Sequence, residues 1–184
     1  DQPTPDHIVK ALSSAAKNPQ SHKYSPFRGI NELKQAAVDF YAREYNVNLD
    51  PNTEVAILFG TKIGLVELPL ALMNDNELML LPDPGYPDYL SGIGLANVQF
   101  ETMPLLEENG FLPDYEQLST EQKEAAKLMY LNYPNNPTGA SATLEFFQET
   151  VDLAKENDIA VVHDFAYGGI GFNGKKPVSF LEAK

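Results

Sequence analysis

The sequence predicts an α/β fold, a mostly parallel sheet sandwiched by helices, and three observations carry that prediction. Short apolar runs of strand length alternate with segments whose apolar residues recur at helical spacing. Within the runs, consecutive positions are apolar, as in strands covered on both faces. Four of the runs also end in a segment rich in polar, Gly, Pro or aromatic residues, and in such sheets ligands sit beyond the carboxyl ends of the strands.

The elements follow in order. Pro3 and Pro5 precede Ile8, Val9, Ala11, Leu12 and Ala15, an amphipathic helix that Asn18-Pro19 should stop. "SHKYSPFRG" (21–29) reads as a polar loop. Leu33, Ala36, Ala37, Phe40 and Tyr41 then predict a helix over 31–45. "EVAILF" (54–59) is predicted as a strand, with Gly60 opening a helical stretch to Met73. "ELMLL" (77–81) predicts the next strand, followed by a helix near 88–96 and the strand "VQFETM" (98–103). "KLMYL" (127–131) precedes a helix over 143–157, and "IAVVHD" (159–164) closes the series. No internal repeat or low-complexity segment interrupts it.

Composition narrows the function classes. A chain of 184 residues with 43% hydrophobic content is enough for one domain with a real core. The net charge of −13, with 13 scattered basic residues, argues against a nucleic-acid surface, which needs clustered Lys and Arg. Zero cysteines exclude disulfides and thiolate metal sites and fit a cytoplasmic setting; no metal is expected. The apolar runs are too short to span a bilayer, so no membrane association is expected. "DQPTPDHIVK" has no apolar signal-peptide core and no initiator Met, so the chain is expected to begin inside a longer protein.

Four strand ends hold the candidate chemistry. In "FGTKIG", Gly60 frees the backbone at a strand-to-helix turn, and the helix N-terminus offers unpaired N–H groups to a phosphate. The Thr61 hydroxyl and Lys62 ammonium are extra donors, although a helix cap explains Thr61 about as well. "DPGYPDY" places Tyr86 and Tyr89 beside a Pro-Gly turn, where a ring could stack on a flat ligand or pack on the sheet rim. "YLNYPNNPTGA" (130–140) is far stiffer than a plain turn requires and carries the amides of Asn132, Asn135 and Asn136. "VVHDFAYGG" ends a buried strand in Asp164, a carboxylate that needs a cation, with the Tyr167 phenol three residues on. His163 points to the opposite face and reads as a structural histidine. Phosphate cradle, stacking ring, amide, carboxylate and phenol together are what pyridoxal 5′-phosphate requires.

"NYPNNPTG", "HDFAYGG" and "PDPGYPDY" resemble the class I/II aminotransferases of PLP fold type I, essentially from Pro3 to Phe180. The resemblance implies the three-layer large domain of that fold. It also implies that Asp164 pairs with the pyridinium nitrogen, that Asn136 and Tyr167 contact the 3-oxygen, and that Tyr86 stacks on the ring. Gly60, Thr61 and Lys62 match the family's phosphate-binding turn. Tyr24 matches a tyrosine that reaches the phosphate of the neighbouring subunit, which implies a homodimer. Asn136–Pro137 matches the family's cis peptide.

The family's Schiff-base lysine lies in a Ser-x-x-Lys or Ser-x-Ser-Lys motif downstream of the Asp-x-x-Tyr strand, and 1–184 contains none. Lys62 belongs to the phosphate turn, Lys175 and Lys176 follow the hairpin signal Asn173-Gly174 and read as solvated, and Lys184 is terminal. The expectation is a large domain truncated at both ends: 1–25 an N-terminal helix and loop, 26–184 the PLP-binding domain, with the catalytic lysine and the C-terminal small domain absent. On that expectation the parent protein transfers an amino group between an amino acid and a 2-oxo acid, while the fragment is inactive and holds PLP weakly or not at all. A PLP-dependent C–S lyase or decarboxylase, or an aminotransferase-like ligand-sensing module of a transcription regulator, stays open. "HDFAYGGIGFNGKKPVSF" and "LLEENGFLPDY" are similar to the branch holding methionine-salvage, diaminopimelate, alanine and aspartate transaminases, the first type being favoured.

Overall fold

The computed structural model describes residues 2–184. Helices α1 (Asp6–Lys17), α2 (Asn31–Tyr45) and α3 (Thr61–Leu72) precede β1 (Leu78–Asp83), α4 (Tyr89–Ala96), β2 (Gln99–Pro104), α5 (Thr120–Ala125), β3 (Ala126–Asn132), α6 (Leu144–Asn157) and β4 (Ala160–Asp164). The four strands form one parallel sheet in the order β2-β1-β3-β4. The chain therefore runs outward from β1 to β2, then crosses back to place β3 on β1's other side. That reversal opens a crevice beyond the carboxyl ends of β1 and β3.

The side-chain alternation of the two central strands builds three layers. On one face Leu80, Met129 and Leu131 pack with Phe146 and Phe147 of α6. On the other, Met79, Leu81, Leu128 and Tyr130 pack with Leu65 of α3 and Tyr89 and Ile93 of α4. These strand residues are 0–4% exposed, and each buried apolar side chain stabilises by roughly 1.5–3 kcal/mol. Helices α3 and α4 approach closely because Gly92 carries no side chain: a Cβ there would sit 3.0 Å from the Val66 carbonyl oxygen. Helices α2, α4 and α6 end on Asn46, Asn97 and Asp158 in the left-handed region, which short polar side chains tolerate.

Two expectations about strands need correction. Residues 54–59 form no strand, because a strand exists through its hydrogen-bonded neighbour and this run pairs with none of the four. Leu58 and Phe59 stand 43% and 87% exposed. Strand β2 is largely exposed as well, since it is an edge and only β1 and β3 are covered on both faces. Helix α5, not expected, carries a full capping box between Ser119 and Gln122, a signature that was visible as Ser-x-x-Gln.

Helix α1 buries no residue. Lys176 is exposed, as expected, and also pairs with Glu44 at 2.8 Å and lies 4.2 Å from the Tyr45 ring centroid, tying the 172–175 hairpin to the end of α2. Among the described residues no helix is long and apolar enough to cross a membrane, and no cluster of metal-ligating side chains occurs.

Candidate active site

The crevice is a cleft of about 160 Å³ lined by Thr61, Lys62, Leu65, Tyr86, Asn132, Asn136, Asp164, Ala166 and Tyr167. Six of the eight residues expected at the site thus meet there. Gly60 borders it as the residue before α3, with φ at +91°, a conformation that favours glycine. Tyr24 does not reach the cleft; its side chain is fully exposed. The cleft suits a flat ring more than a drug-sized ligand. A larger cavity of about 960 Å³ adjoins it through Asn136 and Tyr167 and runs along the start of α6 and the 170–178 segment.

The loop after β3 is held from within. Asn132, 1% exposed, accepts the Asn136 backbone N–H on its Oδ1 at 2.7 Å and donates its Nδ2 to the Asp164 carbonyl oxygen at 2.8 Å. Asn135 Oδ1 accepts from the Thr138 backbone N–H and hydroxyl, and the Asn135 N–H donates to Ala140 O at 2.7 Å. Asn136–Pro137 is cis, as are Tyr133–Pro134 and Asp83–Pro84. The stiffness of this stretch fixes where Asn136 stands. Asn132 was noted in sequence only as one amide of three; its bridging role follows from β-register, which sets Asn132 beside Asp164.

Asp164 accepts the Tyr89 hydroxyl on Oδ2 at 2.9 Å. Burial raises its carboxyl above the usual range, and hydrogen bonds from Tyr89 and the Ala166 backbone pull it partly back. No Lys, Arg or His among the described residues forms an ion pair with it. The cation expected for this carboxylate is therefore not an ion-paired side chain of the described residues.

Lys62 lines the cleft as the turn predicts and also pairs with a carboxylate. Its Nζ lies 2.5 Å from Asp88 Oδ2 and 5.6 Å from the Tyr86 ring centroid. The hydrogen bond to Asp88 raises the Lys62 pKa and lowers that of Asp88. An opposite charge within reach competes for an ammonium that the phosphate turn alone would have left free. The N-terminus of α3 itself borders the cleft through Thr61, and its unpaired N–H groups suit an anion.

His163 lies on the other face, its Nε2 2.8 Å from the Tyr133 carbonyl and its Nδ1 accepting the Phe180 N–H. Burial lowers its pKa to about 4, and the aromatic rings of Phe147 and Phe165 flank it. It is a structural histidine.

A positive helix end, a ring beside it, an amide, a phenol and a carboxylate lacking a protein cation suit pyridoxal 5′-phosphate: phosphate, flat heteroaromatic ring and protonated ring nitrogen. Comparison with known proteins agrees. A family profile described as aminotransferase class I and II matches residues 1–184. The chain is 60% identical over 184 residues to L-glutamine–4-(methylsulfanyl)-2-oxobutanoate aminotransferase of Bacillus subtilis (strain 168), covering 100% of this chain and 46% of that protein. It is 44% identical over 182 residues to LL-diaminopimelate aminotransferase of Syntrophobacter fumaroxidans, covering 99% of this chain and 47% of that protein. A substrate-bound structure of BacF from Bacillus subtilis superposes with a TM-score of 0.96 at 53% identity, over 100% of this chain and 47% of that one. The chain thus spans about half the length of the curated relatives it matches.

Proposed function

This chain belongs to the aminotransferase class I and II family, and we propose that the whole protein is a PLP-dependent transaminase that moves an amino group between an amino acid and a 2-oxo acid. The observation that carries the reading is Asp164, a half-buried carboxylate in a cleft, ion-paired with no Lys, Arg or His of the described residues. Bound pyridoxal phosphate supplies a conjugated ring able to take up the electron pair left when the substrate's α-proton departs.

The chain's residues prepare that chemistry. Asp164 keeps the ring nitrogen protonated, so the ring withdraws electrons strongly. Asn136 and Tyr167 hydrogen-bond the ring's 3-oxygen, Tyr86 covers a ring face, and the N–H groups after Gly60 receive the phosphate along the helix dipole. Lys62 holds Asp88 and so orients the Tyr86 turn. Residues 26–184 act as the cofactor-binding domain and 1–25 as an N-terminal arm. The fully exposed Tyr24 suits a contact with a second copy's phosphate in a homodimer. The acceptor we favour is 4-(methylsulfanyl)-2-oxobutanoate, on the 60% identity to an enzyme named for it; a cytoplasmic setting fits the absence of cysteine.

The test is Asp164→Ala in the whole protein. The variant should fold and yet lose nearly all transamination, because proton release then lacks its electron sink. Undiminished turnover in the variant would refute the assignment.

A further inference from the structure

We propose that Tyr89 is a positioning residue, whose hydroxyl anchors one oxygen of Asp164 and keeps the shared proton on the nitrogen of the bound heteroaromatic ring. The inference deepens the reading of Asp164 given above and rests on it.

Tyr89 has no freedom to do otherwise. It is 1% exposed, and its ring meets the Tyr130 ring edge-on at 5.1 Å and 86° and the Tyr86 ring at 5.8 Å and 74°. The Tyr130 hydroxyl is engaged elsewhere, donating to the Leu65 carbonyl at 2.8 Å. Of these three phenols, only Tyr89 donates to Asp164, through the 2.9 Å bond to Oδ2. Asn132 meanwhile holds the Asp164 backbone carbonyl. Main chain and carboxylate are thus fixed by separate donors.

The other titratable groups near the carboxylate are the Tyr86, Tyr130 and Tyr167 phenols and Lys62, which is paired with Asp88. No ion pair among the described residues therefore offsets the cost of burying the anion; the Tyr89 hydroxyl and the Ala166 backbone do that work instead, the hydroxyl being the one side-chain donor. A hydrogen bond to the charged form lowers a carboxylate's proton affinity. Where Asp164 faces a ring nitrogen, that bond decides where the proton between them rests. Without it the carboxylate becomes the stronger base, and the proton moves from the ring to Asp164. The ring then loses electron-withdrawing power although every cofactor contact stays in place.

The experiment reads the proton directly. Whole protein is stripped of cofactor and loaded with pyridoxamine 5′-phosphate carrying ¹⁵N in the ring, and the ring resonance is recorded for wild type, Tyr89→Phe, Tyr130→Phe and Asp164→Ala. Wild type should give the pyridinium signal. Tyr89→Phe keeps the ring packing and should move the signal toward neutral pyridine, reflecting about a tenfold change in the protonation equilibrium. Tyr130→Phe removes a hydroxyl from the same ring stack without touching Asp164 and should leave the signal in place. A Tyr89→Phe spectrum identical to wild type, with Asp164→Ala neutral, overturns the role of Tyr89 alone. An equal shift in Tyr130→Phe also overturns it, since packing would then be the cause. A pyridinium signal surviving in Asp164→Ala would instead refute the reading of Asp164. Fluorotyrosine at position 89, a stronger donor of nearly the same shape, gives the same test if the Phe variant fails to fold: its signal should stay at least as fully pyridinium as wild type, and movement toward neutral pyridine overturns the proposal.

Discussion

Replacing Asn132 by Ala should loosen the fold and the cofactor cleft together. The side chain makes two short bonds, to the Asn136 N–H at 2.7 Å and the Asp164 carbonyl at 2.8 Å, from a position 1% exposed. Each bond contributes about 0.5–1.5 kcal/mol net, and each orphaned buried partner costs about 1–3 kcal/mol. Both orphans border the cleft, where water can reach them once the amide is gone, so the lower half of that range applies. The loss should be about 2–4 kcal/mol, or roughly 4–16 °C in Tm for a domain of this size. Calorimetric unfolding measures the first effect and titration with pyridoxamine 5′-phosphate the second. Asn157→Ala is the control, because Asn157 Nδ2 donates to the Leu153 carbonyl at 2.9 Å within α6 and borders no site. It should lower Tm modestly and leave affinity alone. Asn132→Asp should be worse than Asn132→Ala at neutral pH, since it sets a carboxylate oxygen against the Asp164 carbonyl. It should recover on acidification, because burial raises its pKa in the folded state. An Asn132→Ala protein with unchanged Tm and unchanged affinity would refute the bridge.

Two further outcomes test the packing around the site. His163 titrates near 4 in the folded chain against an ordinary 6.5, so the unfolded state takes up its proton first. Stability should fall by up to about 3 kcal/mol as pH drops from about 6.5 to about 4, and His163→Gln should flatten that part of a Tm-against-pH curve relative to wild type. Asp164, with its raised carboxyl, contributes in the opposite sense in both proteins and cancels in the comparison. Thr150→Val removes the oxygen partner of the buried Tyr115 hydroxyl, 2.8 Å away, leaving it only the weak Met129 sulfur acceptor at 3.8 Å, and should cost about 1–3 kcal/mol by urea midpoint. Adding Tyr115→Phe removes the orphaned hydroxyl and should recover part of the loss; strictly additive losses would contradict this account.

Sequence reading succeeded where local chemistry and fold agree. The central strands were legible because Met79–Leu81 and Leu128–Leu131 are apolar on both faces, a pattern only doubly covered strands require. The cleft was legible because Asn132, Asn136, Asp164, Tyr167 and the Tyr86 turn lie at or just beyond strand ends, where parallel sheets bind ligands. The run at 54–59 misled because its composition is that of a strand, while strand formation depends on a neighbour that composition does not report. The ion pair of Lys62 was hidden for a related reason. Its place beside Gly60 suggests a phosphate donor, whereas its partner Asp88 arrives from a different strand end. Tyr89 was seen only as a second aromatic beside Tyr86, because its bond spans 75 residues.

The geometry of the site follows from the register of two strands. Parallel pairing sets Leu128 against Ala160 and, four residues on, Asn132 against Asp164. That alignment brings the Asn132 amide within reach of the Asp164 carbonyl and, across the tight loop, of the Asn136 N–H. A slip of one residue would send Asp164 to the face of Phe147 and Phe180 and bring His163 to the cleft, since successive side chains alternate. The register is pinned by the same alternation: Met129 and Leu131 must meet α6 while Leu128 and Tyr130 meet α3 and α4. Core packing and site placement are one constraint. Substitutions deep in β3, far from any ligand atom, should therefore disturb the cleft in proportion to how much they let β3 shift.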